Sequence, residues 1–243
     1  MQSAQRGNGT LTHPRLKQHP ASSETQGDIQ VRYQGIVEYL SAWQAMKEFT
    51  ACRTASTPDE IWLLQHLPVY TQGVACRPEH LLYEPGIPVI RTDRGGQITY
   101  HGPGQVIAYL LLDMRRLKLG VRELVRKMEG AVIDLLDEYS VHAEGRLDAP
   151  GVYVRGAKIA ALGLKIKNGC CYHGVALNVE MDLAPFEAIN PCGYPGLRVT
   201  QTSNIGISDG LEPLSIKLFE KLHARLRATS ESPAGTALGA TQE

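Results

Sequence analysis

The chain has 243 residues, 43% of them hydrophobic, and its 25 basic residues balance 25 acidic ones. That length and apolar content allow one large domain with a core of its own, and the even charge gives no global electrostatic case for nucleic-acid binding. No apolar run approaches the roughly 20 residues of a membrane span.

Residues 1–28 are rich in Gln, Ser, Gly, Thr and His and lack the apolar stretch of a secretory signal. They are expected to form a disordered N-terminal extension, and 229–243, rich in Ser, Ala, Gly and Thr, a disordered C-terminal tail. The folded part is then 29–228, one domain. The five cysteines, Cys52, Cys76, Cys170, Cys171 and Cys192, form neither a disulfide framework nor a CxxC pair. A reducing cytoplasm is the expected setting, and a zinc site is not indicated.

In chain order, Ile36, Leu40, Trp43, Met46 and Phe49 recur at helical spacing and predict an amphipathic helix over about 36–53. Ile61–Leu64 and Val69–Tyr70 are short strands around Pro68. Pro88–Arg91 enters a glycine-rich loop, 94–105, as a strand, and Val106–Leu112 leaves it as a buried one. Val121, Leu124, Val125, Met128, Val132, Leu135, Leu136 and Tyr139 mark a second helix after Gly120. Three strands follow, Gly151–Val154, Lys158–Ile166 and Tyr172–Val179, joined by turns at 155–157 and 167–169; Asn168-Gly169 is a strong hairpin signal. Leu214, Leu218, Leu222 and Leu226 define a last helix. Hairpin-linked strands mixed with helices indicate an α+β fold, not a doubly wound sheet.

The loop Arg94-Gly95-Gly96-Gln97-Ile98-Thr99-Tyr100-His101-Gly102-Pro103-Gly104-Gln105 holds more hydrogen-bonding side chains than a turn needs, and its glycines let backbone approach a ligand. It is neither a Walker A loop nor a dinucleotide fingerprint. Cys192 sits in Asn190-Pro191-Cys192-Gly193-Tyr194-Pro195-Gly196. A lone cysteine is ordinarily a small buried hydrophobe, whereas a loop on a rigid scaffold is where nucleophiles tend to sit; spacing alone leaves both readings open. Cys52, Cys76, Cys170 and Cys171 read as structural. Lys158, at the start of a strand, reads as solvated or as a cation beside a thiol. His101 and His173 both precede glycine, and His101 is favoured as a site member by its place in the loop. The basic stretch Arg115, Arg116, Lys118, Arg122, Arg126, Lys127 reads as a solvated face or as a docking patch for an acidic partner.

These blocks resemble a known family. The loop from Arg94 to Gln105 is similar to the signature of the bacterial octanoyltransferases, the lipoyl(octanoyl) transferase B family. Asp148–Val154, Lys158–Ala160, Gly174–Asn178 and Asn190–Gly193 resemble its later blocks, in the same order. The resemblance runs from about Tyr33 to Ser208. It implies a biotin/lipoate protein ligase-like fold, a mixed β-sheet with hairpins flanked by helices, so that 29–228 is the catalytic domain. It also implies transfer of an octanoyl group from octanoyl-acyl carrier protein, through a cysteine thioester, to a lysine of lipoyl domains, on dehydrogenase-complex E2 subunits or glycine-cleavage H protein. Cys192 matches the acyl-thioester position and Lys158 the residue that lowers the thiol pKa. Arg94, Gly95, Gly96, Gln97, Ile98, Thr99, Tyr100 and His101, then Ala161, Leu162 and Gly163, then Gly174, Val175 and Ala176, match the acyl-substrate contacts. No cofactor, metal, nucleic acid or membrane partner is implied.

Elementary chemistry agrees. Thioester exchange onto a cysteine keeps the acyl group reactive, and covalent catalysis splits one transfer into two steps. A lysine beside the sulfur favours the thiolate and, when neutral, can take a proton from the attacking amine. Backbone N–H groups near Leu162-Gly163 are candidates to hold an oxyanion. Burying the acyl chain contributes about 0.8 kcal/mol per methylene.

Overall fold

The computed structural model describes residues 29–83, 86–146 and 148–228, with Cys192 described by its backbone alone. The disorder expected of 1–28 and 229–243 lies outside the described residues. In chain order the elements are β1 (Gln30–Val37), α1 (Tyr39–Ala51), β2 (Glu60–His66), β3 (Val69–Gln72), β4 (Val89–Arg91), β5 (Ile98–His101), β6 (Gln105–Asp113), α2 (Val121–Asp137), β7 (Glu144–Gly145), β8 (Gly151–Val154), β9 (Ala157–Lys167), β10 (Cys170–Asn178) and α3 (Leu211–Arg227).

A seven-stranded sheet has the order β1-β2-β6-β10-β9-β8-β7, antiparallel except for the parallel pair β1–β2. A three-stranded sheet, β4-β3-β5, stands beside it. The alternation of β6 shows how the layers form, since successive side chains point to opposite faces. Val106, Ala108, Leu110 and Leu112 pack under α2 and α3, against Leu124, Met128, Val132 and Leu135 and against Leu214, Leu218, Leu222 and Leu226. Ile107, Tyr109 and Leu111 face the other way, against Ala42 and Met46 of α1. The mixed sheet flanked by helices is the architecture the sequence predicts.

Three local expectations need correction. The first helix begins at Tyr39 rather than near 36, because the Glu38 carboxylate caps it by accepting from Leu40 N at 3.0 Å and Ser41 N at 2.8 Å. Ile36 and Val37 belong to β1, an edge strand whose register shifts between Tyr33 and Gly35; that irregularity hides its alternation in the sequence. The segment 94–105 is not one loop. Its centre is β5, buried throughout and paired with β3, so the glycines form turns on either side of a short strand. The hairpin signals hold: Arg155, Gly156, Asn168 and Gly169 all have positive φ, as a primed turn requires.

Candidate active site

Lys158 enters β9 on the face away from α2 and α3. It pairs with Tyr153 of β8, and its Nζ lies 5.1 Å from the Tyr153 ring centre. The residue is 3% exposed, and Nζ donates to the Pro150 carbonyl at 3.1 Å. Gly151 makes the room, because a Cβ there would lie 2.8 Å from Lys158 Cε. Lysine is almost never this buried unless it is paired.

The chain that follows Cys192 is stitched to the backbone of Lys158. Lys158 N donates to Arg198 O at 2.8 Å, and Thr200 N donates to Lys158 O at 2.9 Å. Cys192 itself lies in a 3-10 turn, Pro191–Gly193. Asn190 N holds the turn to His80 O at 2.9 Å, and Tyr194 Oη holds it to Asp148 O at 2.7 Å. Gly193 has φ +79°, and Gln97 Cγ and His80 Nε2 stand 3.2 Å from where a Cβ would be. The turn is thus closed in by the β5 segment on one side and by the chain before β8 on the other.

The glycine segment lies along β9. β8 pairs with β9 only as far as Ala161; beyond it Gly95 N donates to Leu164 O at 2.8 Å. Arg94 is buried, with Nε 3.2 Å from Thr71 Oγ1, Nη2 2.5 Å from Thr71 O and Nη1 2.9 Å from Gly95 O. Its Cδ would stand 3.2 Å from a Cβ on Gly163. Gly163 pairs with Gly174, Leu162 with Val175 and Ala161 with Ala176, so two separate sequence blocks are one ladder.

Comparison with known proteins now adds to the geometry. Residues 38–221 match the lipoyl protein ligase A/B catalytic domain. An octanoyltransferase of Nitrosospira multiformis is 79% identical over 199 residues, 82% of this chain and 93% of that protein. One from Nitrosomonas eutropha is 66% identical over 85% of this chain and 92% of its own. The chain belongs to the octanoyltransferase family. The fold is shared more widely. A bipartite lipoate protein ligase of Thermoplasma acidophilum superposes with a TM-score of 0.65 at 15% identity, covering 84% of each chain.

Within this octanoyltransferase family member, the expected contact residues divide by what their side chains meet. Gly163 faces Arg94 of the glycine segment, whereas the Val175 side chain is in the core under α2 and α3 and Leu162 packs against that core. Only the backbone of those two is left to meet a substrate on the other face. Thr99 and Tyr100 are buried in β5, and the Ile98 and Tyr100 side chains pack with Tyr70, Phe186 and Ile189.

A polar cluster that the motif reading passed over surrounds His101. His101 Nδ1 lies 2.8 Å from Gln105 Oε1, and Gln105 Nε2 donates to Asn178 Oδ1 at 2.8 Å. The His101 ring stacks on Tyr39 and meets His66 edge-on. Burial pushes the His101 pKa down to about 3 and that of His66 down to about 4, so both rings are neutral. Asp93, next to Arg94, accepts from Trp43 Nε1 at 2.9 Å and from Tyr172 Oη, and lies 3.1 Å from His173 Nε2. Burial alone would raise its pKa; those hydrogen bonds outweigh it and hold the carboxylate below the usual range. His173 has φ +65°, an unusual conformation for a non-glycine residue. The only sequence signal for this cluster was the pair of histidines preceding glycine. Among the described residues no group of three or more His, Cys, Asp or Glu is placed to hold a metal ion.

Proposed function

We propose that the chain transfers an octanoyl group from octanoyl-acyl carrier protein to a lysine of lipoyl domains, through a thioester on Cys192, in the cytoplasm. The acceptors are lipoyl domains of dehydrogenase-complex E2 subunits and glycine-cleavage H protein. One observation carries this reading: the chain six to eight residues beyond Cys192 is hydrogen-bonded to the backbone of the buried Lys158, while Gln97 of the glycine segment packs on the Cys192 turn. The Cys192 turn is thereby tied both to the start of β9 and to the glycine segment that runs along the same strand.

In the first step the Cys192 thiolate attacks the carrier thioester carbonyl; a new C–S bond forms, the carrier's acyl C–S bond breaks, and the departing carrier thiolate takes the proton of the Lys158 ammonium, which leaves Lys158 neutral. Lys158 as a cation stabilises the thiolate. In the second step the acceptor amine attacks the Cys192 thioester, an amide forms, and the Cys192 sulfur leaves. Neutral Lys158 accepts the amine proton. Arg94, Gly95, Gly96 and Gln97, together with Ala161, Gly163, Gly174 and Ala176, offer a surface of backbone and small side chains for an acyl chain, with Ile98, Thr99, Tyr100 and His101 behind it. The backbone of Leu162 and Val175 completes that surface. Residues 29–228 act as one catalytic domain.

The fold is shared with ATP-dependent lipoate ligases, and one assay separates the two chemistries. The protein is incubated with a lipoyl domain and either octanoyl-carrier alone or octanoate with ATP. Octanoylation from the carrier without ATP is expected. Octanoylation only with octanoate and ATP would replace this reading with adenylate chemistry.

A further inference from the structure

Glu129 lies in the middle of α2 on the face turned to the sheet, and it is 9% exposed. None of the motif blocks includes it. A carboxylate in such a place is costly unless it is paired. Its Oε1 accepts the Gly151 N–H at 2.9 Å. That N–H belongs to the Pro150–Gly151 peptide, and the carbonyl of the same peptide accepts Lys158 Nζ at 3.1 Å. One peptide group therefore joins a carboxylate on its N–H side to an ammonium on its C=O side. Chains of this kind polarise one another, so each end favours the charged form of the other. Gly151 is also the residue whose missing Cβ admits Lys158, at 2.8 Å from Cε and 3.0 Å from Nζ.

We propose that Glu129 is a positioning residue for Lys158: through the Pro150–Gly151 peptide it fixes where the ammonium sits, and its negative charge favours the protonated lysine. The inference rests on the Cys192–Lys158 reading above. Burial holds the Glu129 pKa above the ordinary carboxylate value, while the Gly151 N–H, Lys158 and Arg126 of its own helix pull it back toward the ionised form. Lys158 is reached by Glu129 through the Pro150–Gly151 peptide and lies against the Tyr153 ring of β8, and Arg146 lies 4.8 Å from the same ring. Under the proposed chemistry the Cys192 thiolate is a further charge beside it. A carboxylate that holds the lysine protonated before acylation keeps the sulfur as thiolate. Once the sulfur is acylated and neutral, one negative charge fewer faces the lysine, and it gives up its proton more readily.

The test uses the full chain carrying 13C-labelled lysine, with the Lys158 Cε signal assigned by its loss in Lys158→Ala. Glu129→Gln keeps an oxygen acceptor for Gly151 N–H and removes the charge. It is expected to lower the Lys158 titration midpoint by about 1 pH unit and to move the pH profile of single-turnover acylation with it. An unchanged midpoint in folded Glu129→Gln overturns the proposal and leaves Glu129 as an anchor for β8 only. Should Glu129→Gln not fold, the reciprocal measurement decides. With 13C-labelled glutamate, Lys158→Ala is expected to raise the Glu129 midpoint, and no change overturns the proposal. If Lys158→Ala transfers octanoyl at the wild-type rate, the Cys192–Lys158 reading fails and takes the catalytic meaning of Glu129 with it. Unchanged midpoints with an inactive Lys158→Ala sink the inference alone.

Discussion

Gly151, Gly95 and Gly96 look alike in the sequence, yet they carry different constraints. Gly151 has φ +149° and stands against Lys158 Cε and Nζ. A Cβ there would also lie 2.8 Å from Ala160 O, so Gly151→Ala should lower the unfolding midpoint as well as displace the lysine and impair transfer. Gly96 has φ +86°, so a β-branched residue there is strained whatever the space. Gly96→Val should lose stability, on the order of 1–3 kcal/mol, as well as activity, and cannot isolate a role in binding. Gly95 lacks a positive φ, and its nearest neighbour would be Leu164 O at 3.5 Å, an ordinary contact. Gly95→Ala should fold normally, so a raised KM for octanoyl-carrier with an unchanged melting temperature is the expected sign that this backbone lines the acyl slot. An unchanged KM would place the slot elsewhere. Lys158 gives a further prediction at this scale. Lys158→Ala should move iodoacetamide alkylation of Cys192 to higher pH, because the thiolate loses its cation. Lys158→Arg should restore that profile but not deacylation, since arginine does not release its proton. A profile unmoved by Lys158→Ala would show that another group tunes the thiol.

Asp93 connects elements that sequence periodicity treats separately. Its carboxylate joins Trp43 of α1 to Tyr172 and His173 of β10, and it immediately precedes Arg94, which is anchored on Thr71 of β3. Asp93→Ala removes one acceptor from three buried or half-buried groups. It is expected to cost about 3 kcal/mol, read from urea unfolding, and to loosen the glycine segment. A loss below about 0.5 kcal/mol would show that these bonds are exchanged for water without penalty. The basic stretch reads differently once placed. Arg116 is bound to Asp59 at 2.8 Å and to the carbonyls of Ala55 and Thr57, and Lys127 donates to Arg225 O and Ala228 O at the end of α3. Met114 N is tied to Gly169 O, so the stretch starts at the far end of the β9–β10 hairpin from Lys158. Two of its cations are thus occupied in holding the fold. Elements buried on one face or both, such as β6, α2 and α3, were legible because burial writes a period of 2 or 3.6 into the sequence. β1 was not, because an exposed edge strand with a register shift carries no clean period. β5 was not, because glycines on both sides of four residues read as one loop.

The fold keeps two neutral histidines, His66 and His101, and one strongly acidic carboxylate around its candidate site, and this sets its response to acid. His66 and His101 have pKa values of about 4 and about 3 in the fold, against 6.5 for a free ring. Between those values the unfolded chain binds more protons, so stability falls as pH drops below about 6.5 and goes on falling to about 4, at up to about 1.4 kcal/mol per pH unit for each ring. Asp93 adds to this at lower pH. Its contribution is present above the unfolded carboxylate value and is lost as pH falls through its depressed folded value. The melting temperature should decline from pH 7 to pH 4, and His66→Asn should flatten that decline. An equal slope in the variant would assign acid sensitivity to other groups. At this scale the α+β architecture and the family were legible in the sequence, while the roles proposed for Lys158 and Cys192 rest on experiment. The Glu129–Pro150–Gly151–Lys158 chain and the Asp93 and His66 cluster were not, because each depends on residues brought together from distant positions with no shared motif. The central claim is that Cys192 carries the acyl group, and one measurement reaches it directly. The full chain is mixed with octanoyl-carrier without acceptor, quenched in acid, and its intact mass and peptides are determined. A single octanoyl adduct on the Cys192 peptide is expected, absent in Cys192→Ala and discharged by adding a lipoyl domain. An adduct on Cys170, Cys171 or Cys76, or transfer to the lipoyl domain by Cys192→Ala, would contradict the account.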